Sequence, residues 1–272
     1  MITPPTTLPA YAELQTFSHH SFLRGASSPE QLIERAVALD YQALAITDEC
    51  SVAGIVKAHV AAKELGFRLI IGSQMIVTPD DGSPPFNLIV LAMNKKGYGD
   101  LCELITLGRM RAKKGTYLIR PNDIAAPQGD LAHILGMKDC QLILAPAYCV
   151  DPDVLARQAA WLVHTAPGRA RIALTLHCRA RDKIHRQVVE NIGQEYSLPV
   201  VATGDICMHV RSCKPVQDTM AAIRHRMPIS KCGYRLASNA EAHLRSRLRL
   251  GNLYDAEALR ETIRVMELCT FS

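Results

Sequence analysis

The stretch Ala43–Gly54, ALAITDECSVAG, decides how the rest of the chain reads. Ala43 to Thr47 form a short apolar run that predicts a buried strand, and it ends on two carboxylates, Asp48 and Glu49. Paired carboxylates at the carboxyl end of a buried strand mark where α/β proteins place ligands and catalytic groups. The competing reading is that Asp48 is the N-cap of the helix expected over Val52–Leu65, with Gly66 as its stop.

Outward from this stretch the same rhythm repeats. Strand-like runs lie at Arg68–Ile71, Asn87–Ala92, Gln141–Ala145, Ile172–Leu176 and Val200–Thr203. Helical periodicity fills Tyr98–Met110, Asp153–Thr165 and Asp182–Tyr196. A further helix is announced at 27–41, where Ser28, Pro29 and Gln31 form a capping box with proline at the first helical position. The strand runs are continuous rather than alternating, which predicts burial on both sheet faces. Such alternation of strand and helix predicts parallel βα units with right-handed connections, in a barrel or a doubly wound sheet. Polar residues follow the runs: Asp48 and Glu49, then Gln74, His177 and Cys178, Asp205 and Cys207. In a barrel they converge on one rim.

Composition narrows the class. With 272 residues, 48% hydrophobic and 21% charged, the chain has the balance of a soluble globular protein. No apolar run reaches the length of a membrane span, and the opening MITPPTTLPAYAEL lacks the basic and apolar regions of a signal peptide, so a cytoplasmic protein is expected. Nine scattered cysteines, none in a CxxC pair, read as reduced thiols. The net charge of +5 permits contact with nucleic acid without requiring it. Arg109, Arg111, Lys113, Lys114 and Arg120, with Tyr117 among them, are the candidate nucleic-acid residues; a solvated helix end and loop is the plainer reading of them. From Lys231 onward the pattern is helical, with a capping box at Ser238 and Glu241 and an amphipathic helix over Leu253–Cys269 carrying Leu259, Ile263, Met266 and Leu268. The expected layout is a disordered lead over 1–10, a barrel over 11–230 and a helical connector over 231–272.

Three motifs carry a resemblance. YAELQTFSHHSFLRGAS at 11–27, ALAITDECSVAGIVKAH at 43–59 and VATGDICMHVRSCKPVQDTMAAIR at 201–224 resemble, in order, the N-terminal PHP (polymerase and histidinol phosphatase) domain of bacterial C-family DNA polymerases. SFLRGAS, TDECS and GDICMHVRSCKPVQDT are similar to the error-prone, damage-tolerant branch. The resemblance implies a distorted (β/α)7 PHP barrel with a C-terminal helical connector toward a polymerase palm. It also implies a parent enzyme that adds nucleotides with Mg²⁺, and partners comprising the remaining polymerase domains, DNA, a sliding clamp and accessory mutagenesis proteins. Such an enzyme would act in translesion synthesis and DNA repair.

Metal-bearing members of that family hold a cluster of ions with His, Asp and Glu on the rim, generating hydroxide for phosphoester hydrolysis. The two positions of the His-x-His motif fall here on Gln15 and Phe17, with His19 and His20 out of register. Thr-Asp-His becomes Thr47-Asp48-Glu49, and Gly-x-Glu becomes Gly72-Ser73-Gln74. The histidine that opens the next strand is Asn87, and Asp-x-His becomes Asp205-Ile206-Cys207. Asp48 and Asp205 are therefore the surviving metal-ligand candidates, with Glu49, His177 and Cys207 weaker ones and His209 nearby. The expectation is a degenerate site and a scaffolding domain with no catalytic residue and no cofactor of its own. The plain role expected for the two aspartates is hydrogen bonding to amides at helix starts. The rivals are an active phosphoesterase or 3'-5' exonuclease using Zn or Mn, and a nucleic-acid-binding module.

Overall fold

The run opened by Ala43 is the second of seven strands in one sheet ordered β1 to β7. The computed structural model describes residues 8–271; residues 1–7 of the expected lead, and residue 272, lie outside the described residues. The strands are β1 (Ala12–Glu13), β2 (Ala43–Ile46), β3 (Leu69–Val77), β4 (Phe86–Ala92), β5 (Cys140–Ala145), β6 (Ala170–Thr175) and β7 (Val200–Thr203). The sheet curls into a nearly closed α/β barrel. Its seam is drawn together just beyond β1 and β7, where the Phe17 amide donates to the Ile206 carbonyl at 2.8 Å and the Ile206 amide to that of Gln15 at 2.9 Å.

Around the sheet run α1 (Pro29–Ala38), α2 (Ile55–Glu64), α3 (Lys95–Met110), α4 (Asn122–Ala125), α5 (Pro152–Thr165), α6 (Asp182–Glu195), α7 (Lys214–His225), α8 (Ile229–Cys232), α9 (Arg247–Leu253) and α10 (Ala256–Leu268). The capping box at Ser28 and Gln31 forms as the sequence predicts, and Gly66 follows α2 with φ +62°. Burial on both sheet faces also holds. Along β2, Ala43 and Ala45 enter the barrel interior while Leu44 and Ile46 pack outward under the helices. The interior is filled by Ala12, Leu14, Ile70, Ile89, Leu91, Ile143, Ala173 and Val201. Small alanines between larger aliphatics let a narrow barrel close without voids.

Three expectations are corrected. First, a strand was missed: β1 is two residues long, too short to carry a periodicity. Second, the units are not all parallel, because β4 runs antiparallel to both β3 and β5. The link from β3 to β4 is only Thr78–Pro85, a polar Pro- and Gly-bearing stretch too short for a helical crossover. As a result β4 starts at the rim where the parallel strands end, and its first residues, including Asn87, join that rim. Third, the chain beyond Lys231 is not uniformly helical. Ser238 and Glu241 cap nothing; the Glu241 amide donates to Asn239 Oδ1, while its buried carboxylate accepts from Arg249 Nη2 at 2.8 Å. The helix starts instead at Arg247, with the Ser246 hydroxyl accepting from the Arg249 amide.

α10 packs against β7 and β1 and closes the amino end of the barrel. Val265 and Met266 from its last turns, and Cys269 after it, join the interior cluster. The Ala12 amide donates to Thr262 Oγ1 at 3.1 Å, and Arg68 donates to the carbonyls of Met266 and Cys269. Beside them Arg171 on β6 donates to Glu261 at 2.9 Å and to Gln141 Oε1 at 2.8 Å, all three side chains being buried.

Candidate functional site

The carboxyl rim holds a polar cup of about 150 Å³ lined by Gln15, Gln74, Asn87, Thr175, His177 and Asp205, with Tyr148, Arg179 and His185 at its side. Gln15 sits two residues beyond β1, Gln74 lies within β3, and Asp205 follows β7 in the left-handed region at φ +44°. That conformation is costly for a residue with a side chain, and the contacts on either side of it, from Gln15 to Asp205 Oδ1 and from the Ile206 amide to the Gln15 carbonyl, impose it. The Gln15 side-chain nitrogen donates to Gln74 Oε1 at 2.9 Å and to Asp205 Oδ1 at 3.1 Å. An amide nitrogen therefore sits between the two acceptors nearest the middle of the rim. It is a donor with no lone pair to offer a cation.

His177 lies in the same cup with both ring nitrogens engaged. Nε2 faces the Gly204 carbonyl at 2.7 Å, so it carries the proton, and Nδ1 accepts from Arg179 at 3.1 Å. Burial holds this imidazole below its ordinary pKa. His185 is buried too; its Nδ1 accepts from the Cys149 amide at 3.4 Å, and burial likewise depresses its pKa. Arg179 stacks over the Tyr148 ring at 4.7 Å.

The carboxylate pair that opened the reading is split. Asp48 is fully buried and faces the loop after β1, accepting from the Ser18 amide at 2.8 Å, the Ser18 hydroxyl at 2.7 Å and the Ser21 hydroxyl at 2.6 Å. It does not cap α2, whose N-cap is Gly54 and uses no side chain. Asp205 accepts from a side-chain amide rather than from a helix start, so that part of the expectation is corrected as well. Gly25 keeps the Asp48 loop tight: a Cβ there would come within 2.1 Å of the Ser18 carbonyl. Glu49 turns away into a separate groove of about 470 Å³, where it pairs with Arg24 at 2.5 Å and accepts from the Tyr117 hydroxyl at 3.0 Å.

Cys207 holds its Sγ toward the Asp205 carbonyl, and desolvation pushes its thiol well above the usual range, which makes it a poor thiolate donor. Phe17 is buried, and His209 hydrogen-bonds Ser27 at 2.8 Å. Thus His177 and Asp205 meet in one cup, whereas Asp48, Glu49 and Cys207 look elsewhere. Among the described residues no three His, Cys, Asp or Glu side chains are placed to hold a metal ion. The donor set does not fit the ion cluster that the resemblance implies: amides stand where carboxylate and imidazole are needed, and both Asp48 oxygens already accept from the Ser18–Ser21 loop.

The basic stretch is equally committed. Arg109 donates to the carbonyls of Cys50 and Glu49 at 3.1 and 3.0 Å and stacks over Tyr117 at 5.2 Å. Arg111 pairs with Asp123 at 2.6 Å and Arg120 with Asp80 at 3.0 Å. Within this stretch, Lys113 and Lys114 alone are exposed without a salt bridge. The functional partners that sequence reading missed are Ser18, Ser21, Arg24 and Arg179. No spacing announces them, because they act across 25 or more residues or through a turn.

A seven-stranded barrel with this rim is a PHP-type barrel. Residues 13–145 match the PHP domain family. It is 54% identical over 97% of its length to an error-prone DNA polymerase of Bordetella parapertussis, covering 25% of that protein. It is 49% identical over 97% of its length to one of Burkholderia mallei, covering 26% of it, and 40% identical over 96% to one of Methylococcus capsulatus, covering 23%. The chain thus spans about a quarter of the curated relatives it matches and is homologous to that part of error-prone DNA polymerases. Two solved structures share the fold. One is an amidohydrolase from Chromobacterium violaceum, with TM-score 0.52 and 15% identity over 73% of this chain and 88% of that one. The other is a candidate metal-dependent phosphoesterase from Bifidobacterium adolescentis, with TM-score 0.50 and 14% identity over 75% and 88%. No helix among the described residues is long and apolar enough to cross a membrane.

Proposed function

We infer that this chain works as a hydrolytically silent PHP scaffold within an error-prone DNA polymerase. The observation that carries the reading is the Gln15 amide, which bonds Gln74 and Asp205 together. A hydrogen-bonded amide needs no ion to neutralise it, whereas a cluster of carboxylates would. The barrel then contributes stability and position, and nucleotide addition with Mg²⁺ and dNTPs belongs to carboxylates elsewhere in such a polymerase. In this reading residues 231–272 both close the barrel from below and lead toward the palm. The protein is cytoplasmic, and the polymerase it serves works in translesion synthesis and repair with a sliding clamp and accessory mutagenesis proteins.

The test is metal analysis of chelator-treated protein reloaded with Mn²⁺ or Zn²⁺, together with hydrolysis of a generic phosphodiester. Substoichiometric metal and no turnover are expected. Stoichiometric metal with turnover lost in Asp205→Asn would overturn the reading in favour of a phosphoesterase.

A further inference from the structure

Positive charge gathers in two stretches of the chain, Arg109–Arg120, with five Lys or Arg and no Asp or Glu, and residues 211–236. Residues 211–236 hold six Lys or Arg against one Asp, while the chain as a whole holds 31 against 26, so the rest is balanced at 25 of each. These residues form a helical hairpin, α7 followed by α8 and a 3-10 turn at Gly233–Arg235. Only Ala221, Ala222 and Cys232 of those three elements are buried. Arg226, Lys231 and Arg235 are exposed and form no salt bridge among the described residues. Tyr234 is fully exposed, with its ring stacked on no other aromatic residue among the described ones.

The hairpin is tied to the rim loop through Arg224, which donates to the Leu23 carbonyl at 3.3 Å. That loop carries Arg24 and the exposed Phe22, 82% accessible. Arg224 is depressed in pKa, by burial first and by the facing Arg24 second. Arg211 pairs with Glu241 and Lys214 with Asp218, which leaves Arg226, Lys231 and Arg235 as the hairpin's uncommitted cations beside an exposed aromatic ring; in the Arg109–Arg120 stretch only the two lysines are uncommitted and Tyr117 is held by Glu49.

We propose that the 211–236 hairpin, with the adjoining Phe22–Arg24 loop, is a contact surface for single-stranded nucleic acid. Unpaired Lys and Arg follow the phosphate backbone, and an exposed aromatic ring takes an unstacked base. A protein partner is the less suited occupant, because interface centres are depleted in charge and this surface is dominated by it. Duplex is less suited as well, since its bases are not free to stack on Tyr234.

The experiment measures anisotropy of a labelled oligothymidylate against this 272-residue chain over a salt series. The variants are Arg226→Glu/Lys231→Glu/Arg235→Glu, Tyr234→Ala and the charge-keeping Arg226→Lys/Arg235→Lys. Binding by the parent chain should weaken steeply with salt. The triple reversal should weaken it tenfold or more and reduce the log–log salt slope by about 2, at about 0.7 per lost single-strand contact. Tyr234→Ala should weaken binding about tenfold with the slope unchanged. The lysine pair should bind as the parent does, which separates charge from misfolding. No binding at low salt overturns the proposal. So does a triple reversal that binds normally, loss of binding on Arg109→Glu/Lys113→Glu/Lys114→Glu instead, or preference for polyglutamate over the oligonucleotide. A stoichiometric metal result would sink the silent-scaffold reading and leave this one standing.

Discussion

At the amino end of the barrel, Arg171 and Glu261 meet as full charges under α10, sealed from water and shared with Gln141. At the carboxyl end, the central contact is between two neutral amides, and the one carboxylate beside them accepts from an amide rather than from a cation. The same sheet thus has a sealed end whose polarity is ionic and an open end whose polarity is mostly neutral. Catalytic rims run the other way, keeping charge at the mouth and apolar packing below. In this chain the charge at the mouth is reduced to Asp205 and Arg179 beside the amide contact, while a buried ion pair sits at the base.

Glu261→Ala tests that contrast with the largest effect. It strands Arg171 in a buried position and should lower stability by about 3 kcal/mol in urea denaturation. If the two ends were alike, Gln15→Ala would do the same; it should lose only about 1 kcal/mol, the worth of a neutral hydrogen bond. Between these lies Ser18→Ala, which removes a hydroxyl from the buried Asp48 carboxylate and should lower stability by about 2 kcal/mol by the same measurement.

The contrast also has a pH signature at the mouth. His185 is held neutral by burial, with its pKa below the ordinary 6.5. The stability it contributes is complete above that value and is lost as pH falls through it toward the folded pKa, at no more than about 1.4 kcal/mol per pH unit. Urea midpoints should therefore fall on the acid side, and His185→Gln should flatten the fall. The smallest effect belongs to the outer surface: Arg120→Ala breaks an exposed pair with Asp80 and should change stability by less than about 1 kcal/mol.

Much of this architecture was legible in the sequence. The six longer strands and the helices between them announce themselves by apolar runs and helical spacing, and Ser28 with Gln31 fixes the start of α1 as written. Phe17 and Gln74 are also readable by type alone as departures from the pattern of metal-bearing relatives. The partnerships were not. Alternation along extended backbone says that Asp48 and Glu49 face apart, but nothing in TDECS says that Asp48 meets Ser18 and Ser21 while Glu49 meets Arg24. The antiparallel β4 was hidden because a strand's direction depends on its link, and an apolar run does not show which way it points. Glu241 misled because a capping-box spacing also suits a carboxylate that pairs with an arginine eight residues on. The basic stretch of 109–120 is legible by its density, whereas the hairpin's six cations are spread over 26 residues and stand out only once the fold gathers them on one surface.

The bond from the Ala12 amide to Thr262 joins residues 250 apart in the chain. Nascent protein leaves the ribosome from its amino end, so β1 must wait, unsealed, until α10 has been made. Up to that moment the interior alanines and Leu14 have no floor, and the half-built sheet offers its seam to any neighbour. A chain organised in this way relies on rapid completion or on chaperone shelter, and translational stalling before α10 should enrich its aggregated fraction.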